Sequence, residues 1–258
     1  TMTTIFCIAN QKGGVGKTTT AVNLASGLSR LNRKVLLVDL DPQGNATMGS
    51  GVQKSGLDNS VYELLLGLAE VENVLQRSST DYYDILPANR ELAGAEVEMV
   101  DLERRERRLK EALDKLEDRY DFILIDCPPA LSLLTLNAFC AADGVIIPMQ
   151  CEYYALEGLS DLVNTIKQVH ANLNRNLKTI GLLRVMFDKR ATLSQHVSEQ
   201  LESHFGDRVF KTVIPRNVRL AEAPSFGLPG IDFDASSKGA QAYLNFAAEM
   251  LEWLQTGH

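Results

Sequence analysis

Short apolar runs recur along the chain, separated by longer stretches of helical periodicity. Ile5–Ala9, Val35–Asp39, Asp84–Leu86, Phe122–Asp126, Val145–Met149, Ile180–Phe187 and Val209–Ile214 read as strands. Several of these runs are continuous and β-branched instead of alternating, as expected for strands buried on both faces of a parallel sheet. Thr18–Leu31, Leu102–Asp118, Leu131–Ala141, Gly158–Leu173, Leu193–Phe205 and Ala240–Leu254 carry helical spacing. The β-α-β alternation predicts an α/β fold: a doubly wound, mostly parallel sheet with helices on both faces and right-handed crossovers. No Pro/Gly/Ser linker or internal repeat interrupts it, so the expectation is a single domain over residues 1–258.

The first predicted strand leads into Lys12-Gly13-Gly14-Val15-Gly16-Lys17-Thr18-Thr19, and a helix follows. Successive glycines let the backbone curl until its N–H groups converge on phosphate oxygens, and the helix N-terminus adds its positive end. In such a loop Lys17 reaches the β- and γ-phosphates and the Thr18 hydroxyl ligates Mg2+. The pattern G-x-x-x-x-G-K-[ST] is broken at its first position, where Gln11 replaces glycine, and the loop gains an additional lysine, Lys12. Phe122–Asp126 is a hydrophobic strand ending in an acid suited to hold Mg2+ through water. Asp39 and Asp41, two apart on an extended segment, point to the same side, toward the carboxyl edge of the sheet where ligands bind. Asp41 is the candidate for orienting or deprotonating the attacking water, and with Thr18 and Asp126 it forms the metal side of the site. A nucleotide site with Mg2+ is expected.

Composition narrows the class further. The chain has 258 residues, 45% hydrophobic and 23% charged, which excludes collagen-like and disordered chains. No run of eighteen apolar residues is present to span a bilayer, and the opening residues lack a signal-peptide pattern. Cys7, Cys127, Cys140 and Cys151 show no metal-like spacing and read as reduced core thiols of a cytosolic protein. The net charge of −7 conceals an asymmetry: residues 165–220 hold ten Lys/Arg against four Asp/Glu, a local +6, and the remainder carries −13. Local charge governs contact with phosphates, so this segment is a candidate DNA face or an ordinary solvated surface. The charged stretch Asp101–Asp121, including Glu103-Arg104-Arg105-Glu106-Arg107-Arg108, reads as a solvated helix with i,i+4 pairs in preference to a nucleic-acid arm.

Five blocks then stand out: Lys12 to Thr19, Val38-Asp-Leu-Asp-Pro-Gln-Gly-Asn45, Ile125-Asp-Cys-Pro-Pro129, Cys151-Glu-Tyr-Tyr-Ala-Leu-Glu-Gly158, and Thr212-Val-Ile-Pro-Arg-Asn-Val-Arg-Leu-Ala-Glu-Ala-Pro-Ser225. They span nearly the whole chain and resemble the deviant Walker A P-loop ATPases, specifically the ParA/Soj chromosome-partition proteins. The resemblance implies an ATPase of low intrinsic rate that forms a homodimer around two ATP molecules, with Lys12 of each subunit reaching the phosphates held by the other. It places the adenine near Pro215, Arg216 and Asn217, and it assigns non-specific DNA binding to Arg190 and Arg219. It also implies a ParB/Spo0J-type partner that stimulates hydrolysis, chromosome or plasmid DNA as cargo, and a cytoplasmic, nucleoid-associated location. Relatives usually continue Ser225-Phe-Gly with Lys-Pro, whereas here Leu228 precedes Pro229, which removes a positive charge beside the DNA face.

Three rival readings share the fold. A MinD-like membrane-recruited ATPase needs a basic amphipathic C-terminal helix, but Ala240–Leu254 carries Glu249 and Glu252 and no Lys or Arg, so it reads as a packed helix. An iron–sulfur relative needs paired thiolates, for which Cys127 and Cys151 are the available residues. A metabolic ligase or kinase would turn over on a small carboxylate without DNA or a partner.

Overall fold

The apolar runs form the centre of an eight-stranded sheet. In this computed structural model, which describes residues 2–10 and 16–258, the strands are β1 (Thr4–Ile8), β2 (Val35–Asp39), β3 (Gln76–Arg77), β4 (Asp84–Leu86), β5 (Phe122–Asp126), β6 (Gly144–Met149), β7 (Thr179–Phe187) and β8 (Val209–Pro215). Their order is β3-β4-β2-β5-β1-β6-β7-β8. Only β3 is antiparallel to its neighbour; the other pairings are parallel. Every residue of β2, β5 and β6 is buried, which is why these strands show no alternation.

The helices are α1 (Lys17–Arg30), α2 (Asn45–Gly49), α3 (Val61–Leu65), α4 (Leu92–Met99), α5 (Arg108–Asp114), α6 (Leu133–Ala141), α7 (Ala155–Asn172), α8 (Thr192–Phe205), α9 (Val218–Glu222), α10 (Gly230–Phe233) and α11 (Lys238–Gln255). Successive strand side chains enter two separate cores. Cys7, Leu36, Val38, Ile123 and Ile125 pack with residues of α3 to α8. Phe6, Ile8, Leu37 and Leu124 pack with residues of α1, α2 and α9 to α11. The sheet is therefore doubly wound. Its strand order reverses beside β1, and the carboxyl ends of β1, β2 and β5 meet there. The C-terminal helix α11 uses its apolar face internally: Tyr243, Phe246, Ala247, Met250 and Trp253 are buried, and α11 packs on α1 and β8.

The charged stretch departs from the expected long helix. Arg104 is left-handed, with φ 52°, a single 3-10 turn covers Arg105–Arg107, and α5 spans only Arg108–Asp114. The arginines explain the break. Arg105 Nη1 donates to Val100 O at 2.7 Å, Arg107 Nη2 to Leu173 O at 2.9 Å and Arg108 Nε to Leu65 O at 2.8 Å. These carbonyls lie at the C-terminal ends of α4, α7 and α3, where helices leave acceptors without intrahelical partners and where cations are favoured. Of the expected i,i+4 pairs, Lys110–Asp114 forms at 3.2 Å. Five short helices (α2, α3, α4, α9 and α10) and the two-residue β3 have no counterpart in the periodicity.

Candidate nucleotide-binding site

Lys12, Gly13, Gly14 and Val15 lie outside the described residues; the site is built from what flanks them. Gly16 caps α1 with φ 78°, a left-handed conformation that costs glycine little, and Thr20 N donates to its carbonyl at 2.9 Å. α1 thus begins at Lys17, directly beyond the carboxyl end of β1. Lys17 is 8% exposed, Asp41 8%, and Asp39 and Asp126 are fully buried.

Thr18 Oγ1 donates to Asp126 Oδ2 at 2.8 Å. The other oxygen of that carboxylate, Oδ1, is buried with no hydrogen-bond partner. Burial and the neighbouring Asp39 charge hold the Asp126 carboxyl well above its ordinary range, against the pull of Thr18 and Lys17. An orphaned carboxylate oxygen beside a threonine hydroxyl and a buried lysine fits a hydrated divalent cation with its phosphates. Among the described residues no group of three or more His, Cys, Asp or Glu forms a metal cage.

The two acids of the second strand differ in use. Asp39 pairs in register with Asp126 across β2 and β5. Its oxygens turn inward: Oδ1 accepts from Asp41 N at 3.1 Å, and Oδ2 accepts from Thr47 N and Oγ1 at 2.9 and 2.7 Å. Burial raises its pKa to about 6 in spite of these bonds. The expectation that both acids face the ligand edge is therefore corrected. Asp41 alone lines the cleft, with Oδ1 accepting from Gln43 N at 3.0 Å.

That cleft, of about 780 Å3, is bounded by Gly16 to Thr19, the Asp41–Gln43 loop, α2 and Pro128–Ala130. A second cleft of about 320 Å3 is lined by Pro215, Arg216, Asn217 and Tyr243, and it shares Gly16, Thr19 and Met186 with the first. The described residues expected to face the phosphates and the base thus line adjoining hollows. Asn217 Oδ1 is committed to capping α9, accepting from Arg219 N at 3.0 Å and Leu220 N at 3.4 Å. Two cleft residues, Glu96 and Met186, and the buried Thr47 behind the cleft escaped sequence reasoning. Glu96 of α4 accepts from Leu134 N at 3.2 Å, capping α6 from another element. Met186 has φ 49° at the wall common to both clefts, uncommon for a side chain of its size. Thr47 is fixed by Asp39. Only Asp39, as half of an acid pair, carried a sequence signal.

Gly51, just beyond α2, meets Gly227, beyond α9. A Cβ on Gly51 would lie 2.9 Å from Gly227 O, and Ser79 Oγ donates to the same carbonyl at 3.3 Å.

The basic segment does not form one face. Arg175, Lys178, Arg208 and Lys211 flank the amino ends of β7 and β8, while Lys189, Arg190, Arg216 and Arg219 follow their carboxyl ends. Arg184 is buried inside β7, donating to Ser198 Oγ at 2.9 Å, Glu202 Oε1 at 2.7 Å and Phe210 O at 2.7 Å. Arg190 is 93% exposed and pairs with Asp188 at 3.4 Å. Arg219 is half-exposed between Glu222 and Asp234, each at 3.3 Å. All four cysteines are buried; burial pushes the Cys140 and Cys151 thiols up to about 11 and Cys127 higher than usual.

The family described as an AAA domain matches residues 3–179. The sporulation initiation inhibitor protein Soj of Bacillus subtilis is 52% identical over 246 residues, covering 95% of this chain and 97% of that protein. The chain belongs to the ParA/Soj family of chromosome-partitioning ATPases. Among solved structures, MinD of Pyrococcus horikoshii complexed with Mg-ADP superposes with a TM-score of 0.79 at 28% identity, covering 96% of each chain. Cobyrinic acid a,c-diamide synthase of Mycobacterium smegmatis, with bound ATP analog and magnesium, gives a TM-score of 0.86 at 39% identity, covering 99% of this chain and 97% of that one. The family and the observed sheet together make the fold a P-loop ATPase of the ParA/MinD type. No helix among the described residues is long and apolar enough to cross a membrane.

Proposed function

We propose that all 258 residues form one Mg2+-dependent ATPase unit. ATP binding would assemble it into a homodimer that binds duplex DNA without sequence preference and segregates chromosome or plasmid DNA with a ParB-type partner. The observation that carries this reading is the Thr18–Asp126 bond with the orphaned, buried Asp126 Oδ1, beneath a cleft lined by Lys17, Thr18 and Asp41.

Thr18 Oγ1, and Asp126 through water, would hold Mg2+, which would supply positive charge to the nucleotide phosphates. Gly16, Lys17, Thr18 and Thr19 bind and orient those phosphates, together with the Lys12–Val15 backbone. Lys17 balances charge developing on the transferred phosphoryl group. Asp41 orients the attacking water and receives its proton. Lys12 of each subunit reaches the other subunit's phosphates, so hydrolysis withdraws what joins the dimer. Pro215, Arg216 and the free amide end of Asn217 hold the base. Arg190 and Arg219 contact DNA phosphates, doubled in number by dimerisation. The site of action is the nucleoid in the cytoplasm, and a low intrinsic rate leaves control of the cycle to the partner. The buried apolar face of α11 speaks against membrane recruitment. The likeness to a diamide synthase keeps a ligase as the second reading, recognised by turnover on a small carboxylic acid without DNA.

The test is binding to random-sequence duplex DNA with ATP, with ADP and without nucleotide, at two salt concentrations. Binding only with ATP, weakening steeply with salt, is expected. No binding in any state, with turnover on a small carboxylate, would overturn the partition reading. Asp41→Ala should bind ATP and remain dimeric while hydrolysing poorly, and Lys12→Ala should bind ATP as a monomer.

A further inference from the structure

We infer that Asp39 is the positioning residue that sets Asp41 for hydrolysis, an inference that rests on the ATPase reading of the site. Asp39 is fully buried and lines neither of the two clefts described above, so its carboxylate is not presented to nucleotide there. Its two oxygens instead gather three donors from the loop that carries Asp41. Oδ1 holds the Asp41 backbone N–H itself. Oδ2 holds the backbone N–H and the hydroxyl of Thr47, in the first turn of α2. The Thr47 hydroxyl in turn accepts from Ala88 N at 2.9 Å, tying α2 to the segment after β4.

Between the anchored Asp41 and Thr47 run Pro42, Gln43, Gly44, Asn45 and Ala46, of which Pro42, Gln43 and Asn45 line the phosphate cleft together with Asp41. Asp39 therefore clamps both ends of this catalytic loop to the end of β2. An asparagine is nearly the same size but has one acceptor oxygen, and its amide would face a donor. One anchor must then be lost, and the loop regains freedom to displace the Asp41 carboxylate. A misplacement of that kind costs rate far more than binding, because the nucleotide is held mainly by residues outside this loop.

The experiment compares single-turnover ATP hydrolysis and ATP affinity in the full chain for wild type, Asp39→Asn, Thr47→Val and Thr47→Ser. Asp39→Asn should lower the hydrolysis rate up to about 100-fold with ATP affinity little changed. Thr47→Val, which removes only the hydroxyl bonds, should slow hydrolysis by a smaller factor, and Thr47→Ser should restore the wild-type rate. Wild-type rates in both Asp39→Asn and Thr47→Val overturn the anchor, as does loss of ATP affinity in proportion to rate, the signature of general structural damage. Should Asp39→Asn fail to fold, the Thr47 pair decides alone: a slowed Val variant with an intact Ser variant supports the anchor, and equal rates refute it. A wild-type chain that hydrolyses no ATP overturns the ATPase reading itself, an outcome distinct from an active enzyme indifferent to residue 39.

Discussion

Replacing Arg184 by methionine separates the two uses of positive charge in residues 165–220. Methionine retains much of the buried stem volume and removes the guanidinium. The lost partners are Ser198, Glu202 and the Phe210 carbonyl. Glu202 is 57% exposed, so it returns to water and leaves no stranded buried charge. The Phe210 carbonyl, in a residue with no exposure, and the Ser198 hydroxyl, 6% exposed as a residue, lose their guanidinium donor. Each unsatisfied buried group costs about 1–3 kcal/mol. Subtracting the desolvation relieved by deleting the cation leaves a net loss of about 2–3 kcal/mol. In a chain of this length that lowers Tm by about 4–12 °C. Urea unfolding can be followed by Trp253, the single tryptophan, whose ring lies 4.7 Å from that of Phe210. Glu202→Gln serves as the control and should cost under about 1 kcal/mol. An Arg184→Met variant within about 0.5 kcal/mol of wild type, the range of ordinary surface changes, would refute the structural role. So would a Glu202→Gln variant equally destabilised.

Three further outcomes are expected. Asp39 holds its proton more tightly folded, with a pKa of about 6, than unfolded, near 3.8, so its contribution to stability is full below pH 4 and is lost as pH rises through 6. Across that window, unfolding of the nucleotide-free wild type should lose about 3 kcal/mol relative to Asp39→Asn; parallel pH profiles would contradict the assignment. Gly181→Ala would put a Cβ 2.6 Å from the Phe210 ring, a destabilisation of about 1–3 kcal/mol visible in the same urea transition. Arg219→Glu should abolish ATP-dependent DNA retention and leave ATP-dependent dimerisation intact. Its melting temperature should move little, since its ion pairs are half-exposed.

The central strands were legible because a strand buried on both faces leaves a continuous apolar run, and β2, β4 and β5 begin and end where that run does. The candidate phosphate-side residues stood out because such chemistry demands fixed spacing along one strand-loop-helix unit. What stayed hidden depends on contacts between distant segments. Arg105, Arg107 and Arg108 show helical spacing and charge, but their partners are carbonyls of three other helices. Arg184 adds to a basic tally in sequence and vanishes from the surface in the fold. α3 is a middle case: Ser60 and Glu63 form a capping box, a local signal present in the sequence but spread over one short turn. Glu96 had no local signal, because its role is to cap a helix that starts 37 residues later.

The Gly51–Gly227 approach gives the nucleotide cleft an arch. β2 and β8 stand on opposite sides of β1 in the sheet, yet the segments that follow them touch directly, backbone to backbone, with Ser79 as the keystone. The span has no side chain to compress and no gap to absorb movement. A shift of the segment after α9 is therefore a shift of α2 as well, and through Thr47 and Asp39 it reaches Asp41. A displacement of the segment beside Asn217 would therefore be passed to the Asp41 loop by direct contact, without rearrangement of the strands between.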